Sequence, residues 1–428
     1  MPLHRRDLLR LLPASLALLG ASGPRLRARD SRAERRFLFV YADGGWDPTF
    51  VFNPAFDIAG VDMPPDGADL ARSGDLSWVS GPTRPDVDAF FRRYAARTAI
   101  LNGLEVRSIA HERCERIVMT GSSDPDALDI PSRIAAGAAQ HLPLAHLVVS
   151  GPAYLNAEAQ GVVRMGGQGQ LAGLLSGTCM AGTSPALSLP SQDLIDLEDA
   201  YVRGRVEAFR ARAAPGAGAR IGESYGQALD DANAARNALA TPPPTSEPGG
   251  LSQLLSAVEP LANGLSRCAI VHDLGLFNGR WDHHADITRQ SPSFDGLFRN
   301  LTQLAATLEA RPGTWGASLL DEITVVVFSE MGRYPSLNIS AGKDHWMTTS
   351  MMLFGGGIRG GQVVGAYDAN FNGTPLHPET GELDPGGRQG GIVPQPANIG
   401  ATLLALADMD PAEAFGTGVA PLHALLAT

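Results

Sequence analysis

The chain has 428 residues, of which 44% are hydrophobic and 18% charged, a composition typical of a folded globular protein. Its formal net charge is −11, although the first 36 residues carry nine arginines against three acidic residues. The remainder is therefore strongly acidic, which argues against nucleic acid as the main partner. The length suffices for one large α/β domain with an insertion, or for two domains.

The first 30 residues have the pattern of an export signal. Arg5 and Arg6 precede a Leu- and Ala-rich stretch to Gly20, which matches a twin-arginine signal peptide. That stretch is too short and too interrupted to be a transmembrane helix. We expect the twin-arginine translocon as an export partner, a periplasmic or secreted location, and no stable transmembrane anchor. The alternative is a basic N-terminal helix of a cytosolic protein.

After this segment, apolar runs alternate with stretches of helical spacing. The runs that predict buried strands are 37–41, 98–101, 145–150, 268–271 and 323–328. The stretches that predict helices between them include 86–97, 112–120 and 293–311. This alternation predicts an α/β fold with a mostly parallel sheet sandwiched by helices. Residues 53–85, rich in Pro, Gly and Asp, predict irregular surface.

Residues 152–265 are the least regular part of the sequence. Two stretches within them, 195–213 and 221–240, have helical spacing. The Pro- and Gly-rich segment 241–250 is the strongest linker signal in the chain. We predict that 152–265 forms a mostly helical insertion or cap within a single α/β domain spanning 37–428.

Polar residues follow the predicted strand 323–328 directly, where open α/β sheets build their sites. Glu330, Asp344 and His345 are metal-ligand types, and Asp344 is either a further ligand or a group that orients one. Arg333 and Lys343, the chain's single lysine, are predicted to face an anionic substrate group. The alternative is that these are capping carboxylates, a packed histidine and a chance lysine on ordinary loops.

Further ligand types follow other strands. Asp43 and two glycines end the strand 37–41, which fits a metal site or an ordinary turn. Asp282 and His284 lie in the loop after strand 268–271. We expect a divalent cation (zinc, calcium or magnesium) at the carboxyl edge of the sheet. The ligands expected to converge on it are Asp43, Asp282, His284, Glu330 and His345.

His111 falls at a predicted helix start that follows strand 98–101. A helix N-terminus lowers the pKa of an imidazole, so a neutral His111 is predicted near pH 7. A neutral imidazole can accept a proton. We therefore predict that His111 is a catalytic general base or a third metal ligand.

Several motifs, in this order, resemble a known bacterial family, called domain of unknown function 1501. After the twin-arginine signal they are Asp43-Gly-Gly, Trp281-Asp-x-His284, Ser329-Glu-Met-Gly-Arg333, Gly342-Lys-Asp-His-Trp346 and Gly355-Gly-Gly-Ile-Arg-Gly-Gly361. The resemblance covers nearly the whole chain. It implies an alkaline-phosphatase/sulfatase-like α/β fold and supplies no known reaction.

The same superfamily typically holds two metal ions, and part of its ligand pattern is present. Asp43 matches the first-strand Asp, the pair Asp282 and His284 matches an Asp/His pair, and His345 matches the last His. Glu330 replaces a late Asp, whereas Met331 stands where the superfamily has a His. The nucleophile position falls near His111, where no hydroxyl is present, so the usual covalent phospho-enzyme is not expected.

Two other motifs carry no site. The Gly-rich stretch 355–361 has the spacing of a dinucleotide fingerprint, but strand-like residues 362–365 follow where a helix is required. We predict a Gly-rich hairpin there. Residues 131–133 resemble part of the sulfatase signature, but Asp129 stands where the modified Cys or Ser would have to be.

Three classes of function fit this sequence. The first is an exported metal-dependent hydrolase whose metal-activated water attacks a phosphate- or sulfate-type ester, small or borne on a polymer. The second is a catalytically degenerate member of the fold that acts as an exported binding or assembly protein. The third is a structural partner without metal.

Overall fold

The structure, a computed structural model, describes residues 34–156, 159, 161–165, 191–212, 216–238, 249–276 and 280–427. The predicted export signal, residues 1–30, lies outside the described residues, as does part of the predicted insertion 152–265. No helix in the described residues is both long and apolar enough to cross a membrane.

The strands of the described residues are short, two to eight residues each. In chain order they are β1 (Arg36–Ala42), β2 (Asp69–Ser73), β3 (Leu76–Ser80), β4 (Thr98–Glu105), β5 (His146–Val148), β6 (Val162–Arg164), β7 (Cys268–Asp273), β8 (Ile323–Ser329), β9 (Gly332–Arg333), β10 (His345–Trp346), β11 (Thr348–Gly355) and β12 (Gln362–Val364).

The helices flank and connect these strands. In chain order they are α1 (Pro85–Tyr94), α2 (His111–Thr120), α3 (Ile130–Ala136), α4 (Gln192–Arg210), α5 (Ala217–Ala238), α6 (Gly249–Ala262), α7 (Gln290–Ala310), α8 (Leu319–Glu322), α9 (Pro396–Leu406) and α10 (Pro411–Phe415). Short 3-10 turns lie at Pro48–Phe50, Ala95–Arg97, Ile287–Arg289 and His423–Leu425.

Eight of the strands form one central sheet in the order β12-β4-β11-β8-β1-β7-β5-β6. Neighbouring strands are parallel except at β11, which is antiparallel to both β4 and β8. The predicted mostly parallel sheet is therefore confirmed. Because β1, β4, β7 and β8 run in the same direction, the loops that follow them lie at one edge of the sheet.

The sheet is buried on both faces, which explains why its strands are continuous apolar runs. In β1, Leu38 and Val40 join the core on one face, and Phe39 and Tyr41 join the core on the other. Helices α1, α6 and α7 cover the first face, and α2, α3 and α9 cover the second. These two layers of helices hold the sheet edge, and the loops on it, in place.

Of the described residues in the stretch 152–265, most belong to three helices, α4 to α6. Leu254 and Leu261 of α6 belong to the core beside the sheet, whereas α4 and α5 pack mainly on each other. The extent of an insertion stays a prediction, because part of this stretch lies outside the described residues.

Two segments differ from what the sequence predicts. Residues 53–85 contain the antiparallel pair β2–β3, where Trp78 is buried and its indole N–H donates to Asp88 Oδ1 at 2.7 Å. The predicted Gly-rich hairpin at 355–365 is wrong. Strands β11 and β12 lie on opposite sides of β4, and β12 is parallel to β4, so the glycines make a crossover rather than a tight turn.

Asp129, which interrupts the sulfatase-like pattern, has a structural role. Its Oδ1 accepts a hydrogen bond from Ser132 N at 2.7 Å and so caps α3. Its Oδ2 accepts one from Tyr154 N at 2.8 Å. The carboxylate is therefore used to start a helix and fix a loop.

A buried ion pair joins two loops at the carboxyl edge of the sheet. Lys343 Nζ lies 2.7 Å from Asp47 Oδ2, and both side chains are almost fully buried. The ammonium also donates to Asp62 O at 2.8 Å, while Asp47 Oδ1 accepts from Thr49 N at 2.9 Å. The expectation that Lys343 faces a substrate group is corrected by this geometry, since its charge is used inside the protein.

Replacing Lys343 by methionine would leave the carboxylate of Asp47 buried without a cation. We expect the free energy of unfolding to fall by about 3–5 kcal/mol, the usual cost of removing one partner of a buried pair. The double variant Asp47→Asn/Lys343→Met should recover most of this loss, because asparagine can still accept from Thr49. Urea denaturation measures both effects, and a double variant no more stable than the single one would contradict the pairing.

Candidate metal centre

The guanidinium of Arg333 holds together three loops at the carboxyl edge of the sheet. Its Nε donates to Gly45 O at 2.7 Å, and one terminal nitrogen donates to Lys343 O at 3.1 Å. The other terminal nitrogen donates to Asp282 Oδ1 at 2.7 Å and to Trp281 O at 3.2 Å. The side chain is fully buried, so Arg333 does not face a substrate as expected, and instead positions Asp282.

The loop after β1 approaches the loop that carries Asp282 so closely that it needs glycine. Gly44 has a φ of +125°, and a Cβ there would lie 2.6 Å from the backbone nitrogen of Asp282. The Gly44 N–H points at the carboxylate of Glu330, with N–O distances of 2.9 and 3.1 Å. Any side chain at this position would therefore displace the backbone of the loop that carries Asp282.

Four side chains present nitrogen or oxygen atoms to one small region. One ligand atom from each of His111, Asp282 and His345 falls within a span of 4.8 Å. His345 Nε2 and His284 Nε2 each lie 3.1 Å from Asp282 Oδ1, and His111 Nε2 lies 3.4 Å from Asp282 Oδ2. Atoms that share one ion at about 2.0–2.2 Å lie roughly 2.8–3.6 Å apart, so these separations fit a metal centre.

Each of the three histidines is fixed from outside by a partner of its Nδ1 atom. His111 Nδ1 lies 2.7 Å from Glu330 Oε1, and His284 Nδ1 lies 3.3 Å from Asp344 Oδ1. His345 Nδ1 lies 2.7 Å from the carbonyl oxygen of residue 109. Because these oxygens accept, each Nδ1 carries the hydrogen, and each Nε2 points inward. Such outer partners orient the histidines of metal sites.

Two of the inward-facing nitrogens also lie next to each other. His284 Nε2 and His345 Nε2 are only 2.9 Å apart, and each also lies 3.1 Å from Asp282 Oδ1. Without a metal, protons on these nitrogens hold the three atoms together, and a cation bound by the same atoms would take their place. The donor set of three imidazoles and one carboxylate is one that zinc and other divalent transition metals accept.

The predicted five-residue ligand set is divided by the structure. Asp282, His284 and His345 converge, whereas Glu330 contacts the cluster through His111, and Asp43 has other partners. Asp43 Oδ2 lies 2.8 Å from His272 Nε2 and 2.6 Å from Arg280. His111 takes the place that the prediction gave to Asp43 and Glu330.

His272 and Arg280 were missed by the sequence reasoning. His272 lies near the end of β7 and is in register with Tyr41 of β1, two residues before Asp43. His272 has the same sequence feature as Asp43: it is a polar residue at the carboxyl end of a buried strand. That feature could have predicted it. Arg280 carries no such signal, because it lies in an irregular loop.

Two carboxylates keep the imidazole of His111 protonated when no metal is bound. Hydrogen bonds to Asp282 and then to Glu330 raise the pKa of His111 to about 9, against the opposing effect of burial. The prediction of a neutral base near pH 7 is therefore wrong for this state, because the two carboxylates outweigh the helix N-terminus. Burial alone would raise the pKa of Asp282, but hydrogen bonds from His111, His345 and Arg333 lower it well below its usual range.

Comparison with known proteins places the chain in a family. Residues 77–379 match the family described as "Protein of unknown function (DUF1501)", and the chain belongs to it. No curated protein matches the chain.

Several solved structures resemble this fold. One is Ps i-CgsB in complex with k-i-k-neocarrahexaose (TM-score 0.38, 9% identity, 91% of this chain and 75% of that one). Another is the PsFucS1 sulfatase from Pseudoalteromonas sp. (TM-score 0.33, 10% identity, 92% and 74%). A third is the phosphonate monoester hydrolase of Agrobacterium radiobacter (TM-score 0.28, 10% identity, 90% and 78%).

The raised pKa of His111 predicts how the stability of the metal-free protein depends on pH. The added stability is fully present below pH 6.5, the ordinary pKa, and is lost as the pH rises to about 9. In EDTA, raising the pH from 6.5 to about 9 should lower the melting temperature of the wild type more than that of His111→Gln. His423→Gln, at an exposed histidine elsewhere, is the matched control and should keep the wild-type slope. Parallel slopes for wild type and His111→Gln would contradict the assignment.

Proposed function

We propose that this protein is an exported metal-dependent hydrolase that cleaves a phosphate- or sulfate-type ester. The observation that carries the proposal is the convergence of inward-facing histidine nitrogens on Asp282, with each histidine held from outside. A site that only stabilised the fold would be expected to be closed. Here the side chains of His111 and Asp282 remain 36% and 32% exposed, which leaves room for a substrate.

The residues of this chain would share the work as follows. His111, Asp282 and His345 would hold the metal, with His284 beside them. Bound there, a divalent ion lowers the pKa of a coordinated water and polarises the ester. Glu330 keeps Nδ1 of His111 protonated and its Nε2 directed at the site.

Arg280 is the candidate for contact with an anionic group of the substrate. Its side chain is 59% exposed and already binds a carboxylate, that of Asp43. A guanidinium recognises phosphate and sulfate oxygens through paired donors. We therefore expect Arg280, rather than the buried Arg333 and Lys343, to contact the anionic group of the substrate.

Metal binding is tested first by elemental analysis. Purified protein should carry about one zinc, or another divalent ion, per chain. His345→Ala should lose most of it, because of the three ligand atoms that lie within 4.8 Å of one another only those of His111 and Asp282 remain. His423→Ala should retain the metal and serves as the matched histidine control. His272→Ala should retain it too, since His272 contacts Asp43 rather than Asp282. Wild-type protein without metal after reconstitution would exclude the proposal.

Catalysis is tested with the metal-loaded protein against phosphate and sulfate mono- and diesters. We expect His111→Ala to lower turnover by about 10²-fold or more, as for the loss of an essential catalytic group. Ser108→Ala should change little, because the Ser108 hydroxyl accepts from the backbone of residue 110 rather than from a residue of the metal centre. Inactivity of the metal-loaded wild type across this panel would instead favour a binding or assembly protein.

Export by the twin-arginine route is part of the proposal and has its own test. It rests on Arg5, Arg6 and the apolar stretch that follows them. Replacing both arginines by lysine should retain the protein in the cytoplasm, with its metal content unchanged. Fractionation of cells and immunodetection measure this, and unchanged export would exclude the route.

A further inference from the structure

Helices α4 and α5 form an antiparallel pair beside the α/β body. Arg203 binds Asp230 at 2.7 Å, and Arg236 binds Asp199 at 3.1 Å, so two ion pairs link the helices. Val206 is buried between them. A contact of 2.9 Å between His141 and Asp231 of α5 ties this helical hairpin to the body.

The hairpin also carries large apolar side chains on a face that nothing covers in the described structure. Those on α4 are three, four and eight residues apart, spacings close to whole turns, and therefore form a stripe along one side of the helix. Between them, α4 and α5 line a groove of about 330 Å³. The exposed side chains, with their exposed fractions, are Leu194 (52%), Leu197 (66%), Tyr201 (67%), Phe209 (45%), Ile221 (62%) and Tyr225 (55%).

Isolated apolar residues are common on protein surfaces, but six on one helical hairpin are not. We propose that this face is a homodimer interface, formed by the same hairpin of a second copy of the chain. This inference is independent of the proposed hydrolase activity.

The charges of α4 favour a second copy in antiparallel orientation. The first half of the helix is acidic, with Asp193, Asp196, Glu198 and Asp199, and the second half is basic. Its basic residues are Arg203, Arg205 and Arg210, against one acidic residue, Glu207. Two parallel copies would bring like charges together, whereas a two-fold axis across the helix brings each acidic half to the other's basic half.

A two-fold axis beside Tyr201 also buries the apolar stripe of one copy against that of the other. In that register Leu194 of one copy lies opposite Phe209 of the other, and Glu198 lies opposite Arg205. Because 3.6 residues make one turn, Glu198 and Arg205 are on the same side of α4 as the stripe. Glu207 is on the opposite side. Each interface would therefore contain the Glu198–Arg205 pair twice.

The size of the face fits a specific but reversible dimer. A helix of 19 residues is about 28 Å long, and two adjacent helices are about 20 Å wide, which gives roughly 560 Å² per copy. The total of roughly 1,100 Å² lies near the lower limit for specific interfaces. Dissociation on dilution is therefore expected.

The test is a charge exchange measured by sedimentation velocity on the full chain. Wild type should form dimers that dissociate on dilution. Glu198→Arg alone and Arg205→Glu alone should each be monomeric, because each places like charges opposite one another twice. Mixing the two variants should restore dimers, since every arginine then meets a glutamate, and so should the double variant Glu198→Arg/Arg205→Glu.

Glu207→Arg is the matched control, because it makes the same change of charge on the far side of α4 and should leave the dimer intact. Circular dichroism shows whether each variant keeps its helices. A wild type that stays monomeric at all concentrations would overturn the proposal. Single variants that dimerise like the wild type would also overturn the proposal. So would a mixture of the two variants that stays monomeric, which would leave a different protein as the partner of this face.

Discussion

The buried guanidinium of Arg333 is the interaction on which the edge of the sheet depends. Its planar set of donors reaches the loop after β1, the loop that carries Asp282 and the segment that carries Lys343. A lysine could supply the charge but not the directions, because its three donors radiate from one nitrogen. Burial strengthens these bonds and makes their loss costly. The bond from Arg333 fixes the position of Asp282. It also helps to place His345, because His345 of β10 lies opposite Arg333 of β9 in the two-stranded sheet.

The sequence was informative about the sheet because its strands are buried on both faces. Runs such as 323–328 contain no charged residue, so their position could be predicted to within a few residues, and polar residues after them could be assigned to one edge. Spacing did not show that β11 and β12 lie on opposite sides of β4. Strand order depends on packing between distant segments, which local patterns do not contain.

The site was predicted in part for the same reason. Strand ends identify which residues share a neighbourhood, and His111, Asp282, His284 and His345 do share one. They do not identify which polar group pairs with which, and so the sequence alone predicts that Arg333 and Lys343 face a substrate. Both lie where a charge is expected at a sheet edge, and only the structure shows that carboxylates and carbonyls of the protein already pair with them.

The contact between His111 and Glu330 joins residues that are 219 positions apart in the chain. Contacts between residues so far apart in sequence form late in folding, because much of the intervening chain must already be ordered before the two residues can meet. In this protein the intervening chain includes β7, β8 and the helices that pack on them. The inward orientation of His111 is therefore a product of the finished sheet. A bound ion at this place would report, in a single measurement, that the chain had reached its native topology.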